Sequence, residues 1–194
     1  MTFIYLPYLI MHYRTYVIIG PEGDIKTQVA QALAPFSESI QVEPYKVYLD
    51  EREIFIMAMH FGLKENNIPA LIEEMPDWRK SEGGVDEVGL FSWTTANPKG
   101  KWDYYVIGGL WSRNFHGRNS IKARTLLKSR SLKEHLPCSI LSPSGEWHEV
   151  EELVYLGLNK FKLLRKCPGG WLIALKQILA RYPEHRVVCV DVHR

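Results

Sequence analysis

The stretch 97–113, Asn-Pro-Lys-Gly-Lys-Trp-Asp-Tyr-Tyr-Val-Ile-Gly-Gly-Leu-Trp-Ser-Arg, gathers tryptophans, tyrosines, lysines, an acid and a glycine pair. Tryptophan and tyrosine each bring a large apolar body with a polar handle. A glycine pair lets the backbone approach a neighbour closely or take positive φ. If residues 102–107 form a strand, Lys101, Asp103 and Tyr105 share one face, and Trp102, Tyr104 and Val106 share the other. Asp103 would then act as base or ligand with the Tyr105 phenol as donor; alternatively, its carboxylate pairs with Lys101 or an arginine to organise the sheet. Gly108 and Gly109 either offer N–H groups to an anion or make a tight turn. They lack the spacing of a P-loop or dinucleotide fingerprint. In the ligand reading, Lys101 and Arg113 hold phosphate, and Trp102 or Trp111 stacks a base or walls the pocket.

Two further segments could join this chemistry. In 147–149, Trp147 and Glu149 point to one face of a strand and His148 to the other, so at most one of His148 and Glu149 enters a given pocket. Asp191 and His193 share a face at the end of the last apolar segment. Such a pair supplies two metal ligands or an acid that orients an imidazole. No third ligand stands at a diagnostic spacing, and no metal site is expected. Asp103, His148 and His193 are therefore the candidate proton carriers. His12, His60, His116, His135 and His185 have no partner at an informative spacing. The absence of G-x-S-x-G argues against an α/β-hydrolase elbow, and the residues leave the cofactor unknown.

Residues 101–111, Lys-Trp-Asp-Tyr-Tyr-Val-Ile-Gly-Gly-Leu-Trp, resemble the signature K-W-D-W-Y-x-I-G-G-R-W of an uncharacterised protein family of phage and bacterial genomes. Ala32-Leu33-Ala34-Pro35-Phe36, Ser142-Pro143-Ser144-Gly145-Glu146-Trp147-His148-Glu149 and the closing Asp191-Val192-His193 are similar to further family segments. The resemblance implies a site without naming a reaction. The chain departs from it at Leu110, where the family carries arginine, and at Leu153-Val154-Tyr155-Leu156-Gly157, where a tryptophan-rich stretch is expected.

The elements that must carry these residues are legible in coarse outline. Tyr13–Ile19 alternates like a strand and stops at Gly20-Pro21. Helices are expected over Asp24–Ala34, with Asp24 as N-cap, and over Glu51–Leu63, Ile68–Arg79, Ile121–Leu132 and Trp171–Tyr182. Tyr45–Leu49 is a short strand. Val88–Thr95 and Trp102–Ile107 are expected to pair across Ala96-Asn97-Pro98-Lys99-Gly100. Cys138–Leu141 and Glu146–Val150 form a hairpin around Ser142-Pro143-Ser144-Gly145, and Arg186–Val192 is a terminal strand. Interspersed helices and hairpins predict an α+β fold with a mostly antiparallel sheet and packed helices.

A chain of 194 residues, 46% apolar and 24% charged, fits one domain or one core with a long insertion. It buries about 70% of its unfolded surface and needs no disulfides. The expectation is a single α+β domain over 11–194. Residues 1–10 are an apolar extension, and Met11 is a candidate original start. Pro7 interrupts that run, which is too short to span a bilayer and lacks signal-peptide features. Cys138, Cys167 and Cys189 are far apart, as in reduced thiols of a cytoplasmic protein.

Charge is unevenly spread. Residues 99–135 carry nine basic side chains against Asp103 and Glu134, whereas 64–87 carry seven acids against Lys64, Arg79 and Lys80. Such a surface suits an anionic ligand, although a solvated helix face would look the same.

Three functions follow as expectations. One is a site for a small anionic, nucleotide-like ligand that the protein hydrolyses. A second is a non-enzymatic binder in phage–host conflict, an anti-defence protein that sequesters a ligand or presents the basic 113–133 segment to a protein. A third uses that basic segment on nucleic acid. No membrane partner is expected.

Overall fold

The computed structural model describes residues 12–64, 67–74, 83–112, 115, 117–155, 161–165 and 168–193. The apolar extension 1–10, Met11, Arg113, Cys167 and the distal half of the helix expected at 68–79 lie outside them. The fold is α+β, built from mostly antiparallel sheets and packed helices. The chain divides into two units. Unit 1 joins the residues up to 39 with those from 99 onward, and unit 2 is the intervening 40–98. The charge asymmetry follows this division: 40–98 holds eleven acidic and five basic side chains, leaving eleven acidic and nineteen basic ones to unit 1.

Unit 1 is organised on a six-stranded sheet. β1 (His12–Ile19) and β11 (Arg186–His193) run antiparallel along their whole length, from His12 opposite His193 to Ile19 opposite Arg186. β5 (Tyr104–Ile107) and β6 (Ser120–Lys122) both pair with the far side of β11. β7 (Ser139–Leu141) adds parallel to β1, and β8 (Trp147–Glu149) closes the expected hairpin on β7. β9 (Glu151–Tyr155) and β10 (Phe161–Arg165) form a separate antiparallel pair.

Helices cover both faces of this sheet, which is why Val187–Val192 is buried without interruption. On one face α1 (Ile25–Leu33) and the following 3-10 turn (Ala34–Phe36) pack Val29, Leu33 and Phe36 on Val17, Ile19, Leu141, Val188, Val190 and Val192. Asp24 caps α1 as expected, its carboxylate accepting the Thr27 N–H at 2.8 Å. On the other face lie α4 (Ala123–Lys128), α5 (Ser131–Glu134) and α6 (Pro168–Ala180). Trp171, Leu175, Ile178 and Leu179 of α6 pack there with Tyr16, Ile18, Ile140, Val187 and Cys189. The Trp171 indole N–H reaches the Pro137 carbonyl at 2.8 Å, and the Tyr16 hydroxyl donates to the His135 carbonyl at 2.8 Å. Burial pushes the Tyr16 phenol pKa upward.

Unit 2 is a three-stranded antiparallel sheet, β2 (Gln41–Tyr48), β4 (Leu90–Ala96) and β3 (Gly83–Val85), with α2 (Glu51–Phe61) and α3 (Ile68–Glu74). A reciprocal capping box between Asp50 and Glu53 starts α2, and Gly62 at φ 67° ends it. Ala58, Leu71 and Leu90 form its small core.

Two expectations are corrected. Residues 90–96 do not pair with 104–107: β4 sits between β2 and β3, and β5 pairs with β11. The loop 97–103 connects units rather than closing a hairpin. The basic helix expected over Ile121–Leu132 is instead the end of β6 followed by two short helices, because Ser129 adopts an extended conformation at φ −82° and ψ 143°.

Candidate functional site

Strand alternation on β1 and β11 decides which polar residues meet. Tyr16, Ile18, Val187 and Cys189 face the α6 core, so His12, Arg14, Asp191 and His193 continue that face beyond the core. Arg14 stands opposite Asp191 and His12 opposite His193. On the neighbouring strand Val106 stands opposite Asp191 and Tyr104 opposite His193. Tyr105 and Ile107 pack into the α1 core, which leaves Tyr104 and Val106 exposed on the polar face.

Asp191 is the only charged side chain among the buried polar groups of the described residues, 5% exposed. A buried carboxylate must be hydrogen-bonded to be tolerated, and two donors do this. One oxygen contacts His12 Nδ1 at 3.0 Å, and the other accepts the Leu110 N–H at 3.0 Å. The glycine pair makes the second bond possible. Gly108 at φ 79° and Gly109 at φ 48° turn the chain into a short 3-10 segment, Gly109–Trp111, directly over Asp191. A Cβ on Gly109 would lie 2.4 Å from the Asp191 Cβ. The Gly-Gly turn thus does offer an N–H to an anion, and the anion is the chain's own carboxylate.

Asp103 forms the second acid–imidazole pair, with His193 Nδ1 2.6 Å from its Oδ1. The Asp103 N–H also donates to the His193 carbonyl at 3.1 Å. The His193 hydrogen bond holds the Asp103 carboxyl below its ordinary value of 3.8, and attraction to the imidazolium adds to it. A carboxyl depressed in the folded state contributes stability that is complete above its ordinary pKa and lost as pH falls through the depressed one. In His193→Ala, the Asp103 carboxyl is expected to titrate at higher pH, towards 3.8, as followed by carboxyl carbon NMR. An unmoved midpoint would show that the bond does not form in solution.

The two imidazoles stand edge to face, their centroids 5.5 Å apart and planes at 73°. Both are held through Nδ1, so Nε2 of each is the atom left for chemistry. Beside them the Arg14 guanidinium lies 4.4 Å over the Trp111 ring and donates to the Leu136 carbonyl at 3.3 Å. Two carboxylate-oriented imidazoles with an arginine alongside can accept one proton, donate another and balance a negative charge. Among the described residues no group of three or more His, Cys, Asp or Glu side chains is arranged to hold a metal ion.

The sequence candidates separate onto two faces. Asp103, Gly108, Gly109, Trp111, Asp191 and His193 come together around this cluster. Lys101, Trp102, Tyr105, Trp147 and Glu149 do not. Lys101 pairs with Glu149 at 3.0 Å. Trp102 donates its indole N–H to the Leu33 carbonyl at 2.9 Å and meets the Tyr105 ring edge-on at 5.0 Å, while Trp147 packs on Phe36. The face shared by Asp103 and Tyr105 is therefore corrected. β5 begins only at Tyr104, and a bend at Asp103 breaks the alternation and puts Trp102 on the side of Tyr105. Asp103 accordingly pairs with His193 and not with Lys101.

His148 lies on the same sheet face as His193, but three strands across and level with Cys189, about 19 Å away at ordinary strand spacing and rise. Its Nε2 lies 3.7 Å from the Glu146 carboxylate. Asp191 and His193 share a face as expected, yet each binds a different partner. In the basic segment, Lys122 and Arg124 both pair with Glu184, at 3.5 and 2.7 Å.

Sequence reasoning missed His12 and Arg14. Their only signal was alternation with Tyr16 and Ile18 along β1. It also missed the Lys46–Asp86 pair of unit 2 (2.6 Å), where Lys46 lies 4.0 Å over Phe91 and Tyr48 donates to the same carboxylate. There the lysine holds the Asp86 carboxyl down at about 2. Compared with protein-family models, with curated proteins and with solved structures, the chain matches none.

Proposed function

We propose that the cluster of His12, Asp103, Asp191 and His193 carries out acid–base chemistry on a small phosphorylated, nucleotide-like ligand and hydrolyses it. The observation that carries this reading is the pair of aspartate-held imidazoles with centroids 5.5 Å apart. A purely structural histidine ion pair has no use for a second one beside it with its Nε2 also left over. The basic excess of unit 1 favours approach of an anion, and Arg14 supplies a local cation. Lys101, paired with Glu149, and Trp102, packed into the α1 core, stand away from the cluster, so Arg14 and the imidazoles take over the anion-holding role.

Thermal unfolding against mononucleotides, cyclic nucleotides and short oligonucleotides tests the binding half. A ligand at 100 times its Kd adds about 2.7 kcal/mol, a rise of about 5–10 °C for a chain of this size. The shift is expected to be lost in His12→Gln, His193→Gln double variants. Recovery of an unchanged ligand after long incubation would move the function from hydrolysis to sequestration, and a panel without any shift would end the reading.

A further inference from the structure

We infer that the substrate class is a ribonucleotide phosphodiester, a phosphate linkage with a hydroxyl on the neighbouring ribose carbon, cleaved by His12 and His193 acting as a base–acid pair. This inference rests on the proposed acid–base site and narrows it.

Among the described residues, neither imidazole hydrogen-bonds to a serine, threonine, tyrosine or cysteine; each Nδ1 is committed to a carboxylate. A side-chain hydroxyl or thiol nucleophile has no candidate in this arrangement. The attacking oxygen must come with the substrate or from water.

A displacement at phosphorus has its attacking and leaving oxygens roughly in line. One group must take a proton on one side while another gives a proton on the other. Two equivalent imidazoles fit that demand, and a single dyad with a spare neighbour does not. The two rings stand edge to face with centroids 5.5 Å apart, close enough to serve one phosphate. Arg14, two residues along the same face of β1 from His12, holds its guanidinium over Trp111 beside the imidazoles, a cation available to balance the phosphoryl charge.

Tyr104 stands opposite His193 on the adjacent strand and is 62% exposed, on the same face as both imidazoles. An exposed aromatic beside a phosphate site is a stacking surface for a nucleobase. The exposed Leu110 and Val106 extend the apolar border next to it.

The step balances without a further reactant. Nε2 of one neutral imidazole takes the proton of the ribose 2′-hydroxyl, O2′ attacks phosphorus, and the P–O5′ bond breaks. The other imidazole, protonated beforehand, gives its Nε2 proton to O5′. The products are a 2′,3′-cyclic phosphate and a free 5′-hydroxyl, with the protonation states of the two rings exchanged. Because one ring must be neutral and the other charged, the rate against pH is bell-shaped. The charged and titratable groups that shape the bell are Asp191 and Arg14 around His12, and Asp103 and Tyr104 around His193; Trp111 and the Leu110 N–H border the site from the 3-10 segment.

The test incubates the full chain with the dinucleotide uridylyl-3′,5′-adenosine and with its 2′-deoxy counterpart, followed by phosphorus NMR. Expected are a 2′,3′-cyclic phosphate from the ribo compound, no reaction of the deoxy compound, and a loss of at least about 100-fold in His12→Gln and in His193→Gln. Circular dichroism of both variants establishes that they remain folded. Equal cleavage of the deoxy compound, or hydrolysis of a mononucleotide alone, overturns the ribonucleotide assignment and leaves the acid–base site standing. If nucleotides stabilise the protein against heat but no phosphodiester is cleaved, the assignment falls and ligand sequestration remains. If nothing binds and nothing is cleaved, both fall.

Discussion

Gly109→Ala is expected to destabilise unit 1 by about 2–5 kcal/mol. Left-handed backbone costs a residue with a Cβ about 1–2 kcal/mol, and forcing a group into filled space adds about 1–3 kcal/mol. Both costs apply here, because Gly109 has φ 48° and its added methyl would lie 2.4 Å from the Asp191 Cβ and 2.5 Å from Oδ2. Asp191 cannot retreat, since its strand is bonded to β1 on one side and β5 on the other. Natural domains hold only about 5–15 kcal/mol in total, so urea midpoints should fall visibly.

Two other glycines set the scale. Gly108 also has positive φ, but its Cβ would meet the Asn119 amide, an exposed side chain able to swing away. Gly62→Ala meets nothing within 4 Å and bears only the backbone cost. The expected order of damage is Gly109, then Gly108, then Gly62. Equal effects at 109 and 62 would mean that the turn does not lie over Asp191.

Asp191→Asn is expected to lower turnover of the proposed substrate by about 10³–10⁴ while leaving the protein folded. The amide keeps the size of the carboxylate, and its oxygen can still accept the Leu110 N–H. Its NH2 then faces His12 Nδ1, which must become an acceptor. That forces the proton onto Nε2, the atom needed as base, and reverses the tautomer. A wrong tautomer behind an intact geometry costs about 10⁴ in the aspartate–histidine pair of serine proteases. The carboxylate also stabilises the imidazolium, an effect that the neutral amide cannot supply.

Asp103→Asn should cost less. Its side chain is half exposed whereas that of Asp191 is buried, so the amide has room to reorient. Measuring kcat against pH for both variants separates the two roles. If Asp191→Asn retains full turnover with an unchanged pH profile, His12 is not a proton carrier.

The sequence by itself determined the local elements. Asp24 before an apolar period of 3.6 gave the start of α1, and Ser142-Pro143-Ser144-Gly145 between two apolar runs gave the β7–β8 hairpin. The terminal run 186–192 was legible as a strand, and the two positive-φ glycines after Ile107 as a turn. These signals act within a few residues, through φ preferences, caps and side-chain periodicity.

Tertiary structure alone decided the site. His12 and Asp191 are 179 positions apart, and Asp103 and His193 are 90 apart. No local propensity links them; only the register of β1 on β11 and of β11 on β5 does. The misassigned pairing of 88–95 with 102–107 shows the same limit. Sequential strands are usually neighbours, but here the first closes the inserted unit and the second returns to the central sheet. A one-residue slip in that register would turn His12, Arg14, Asp191 and His193 into the α1 core. The valines that must be buried on the opposite face are what hold the imidazoles together.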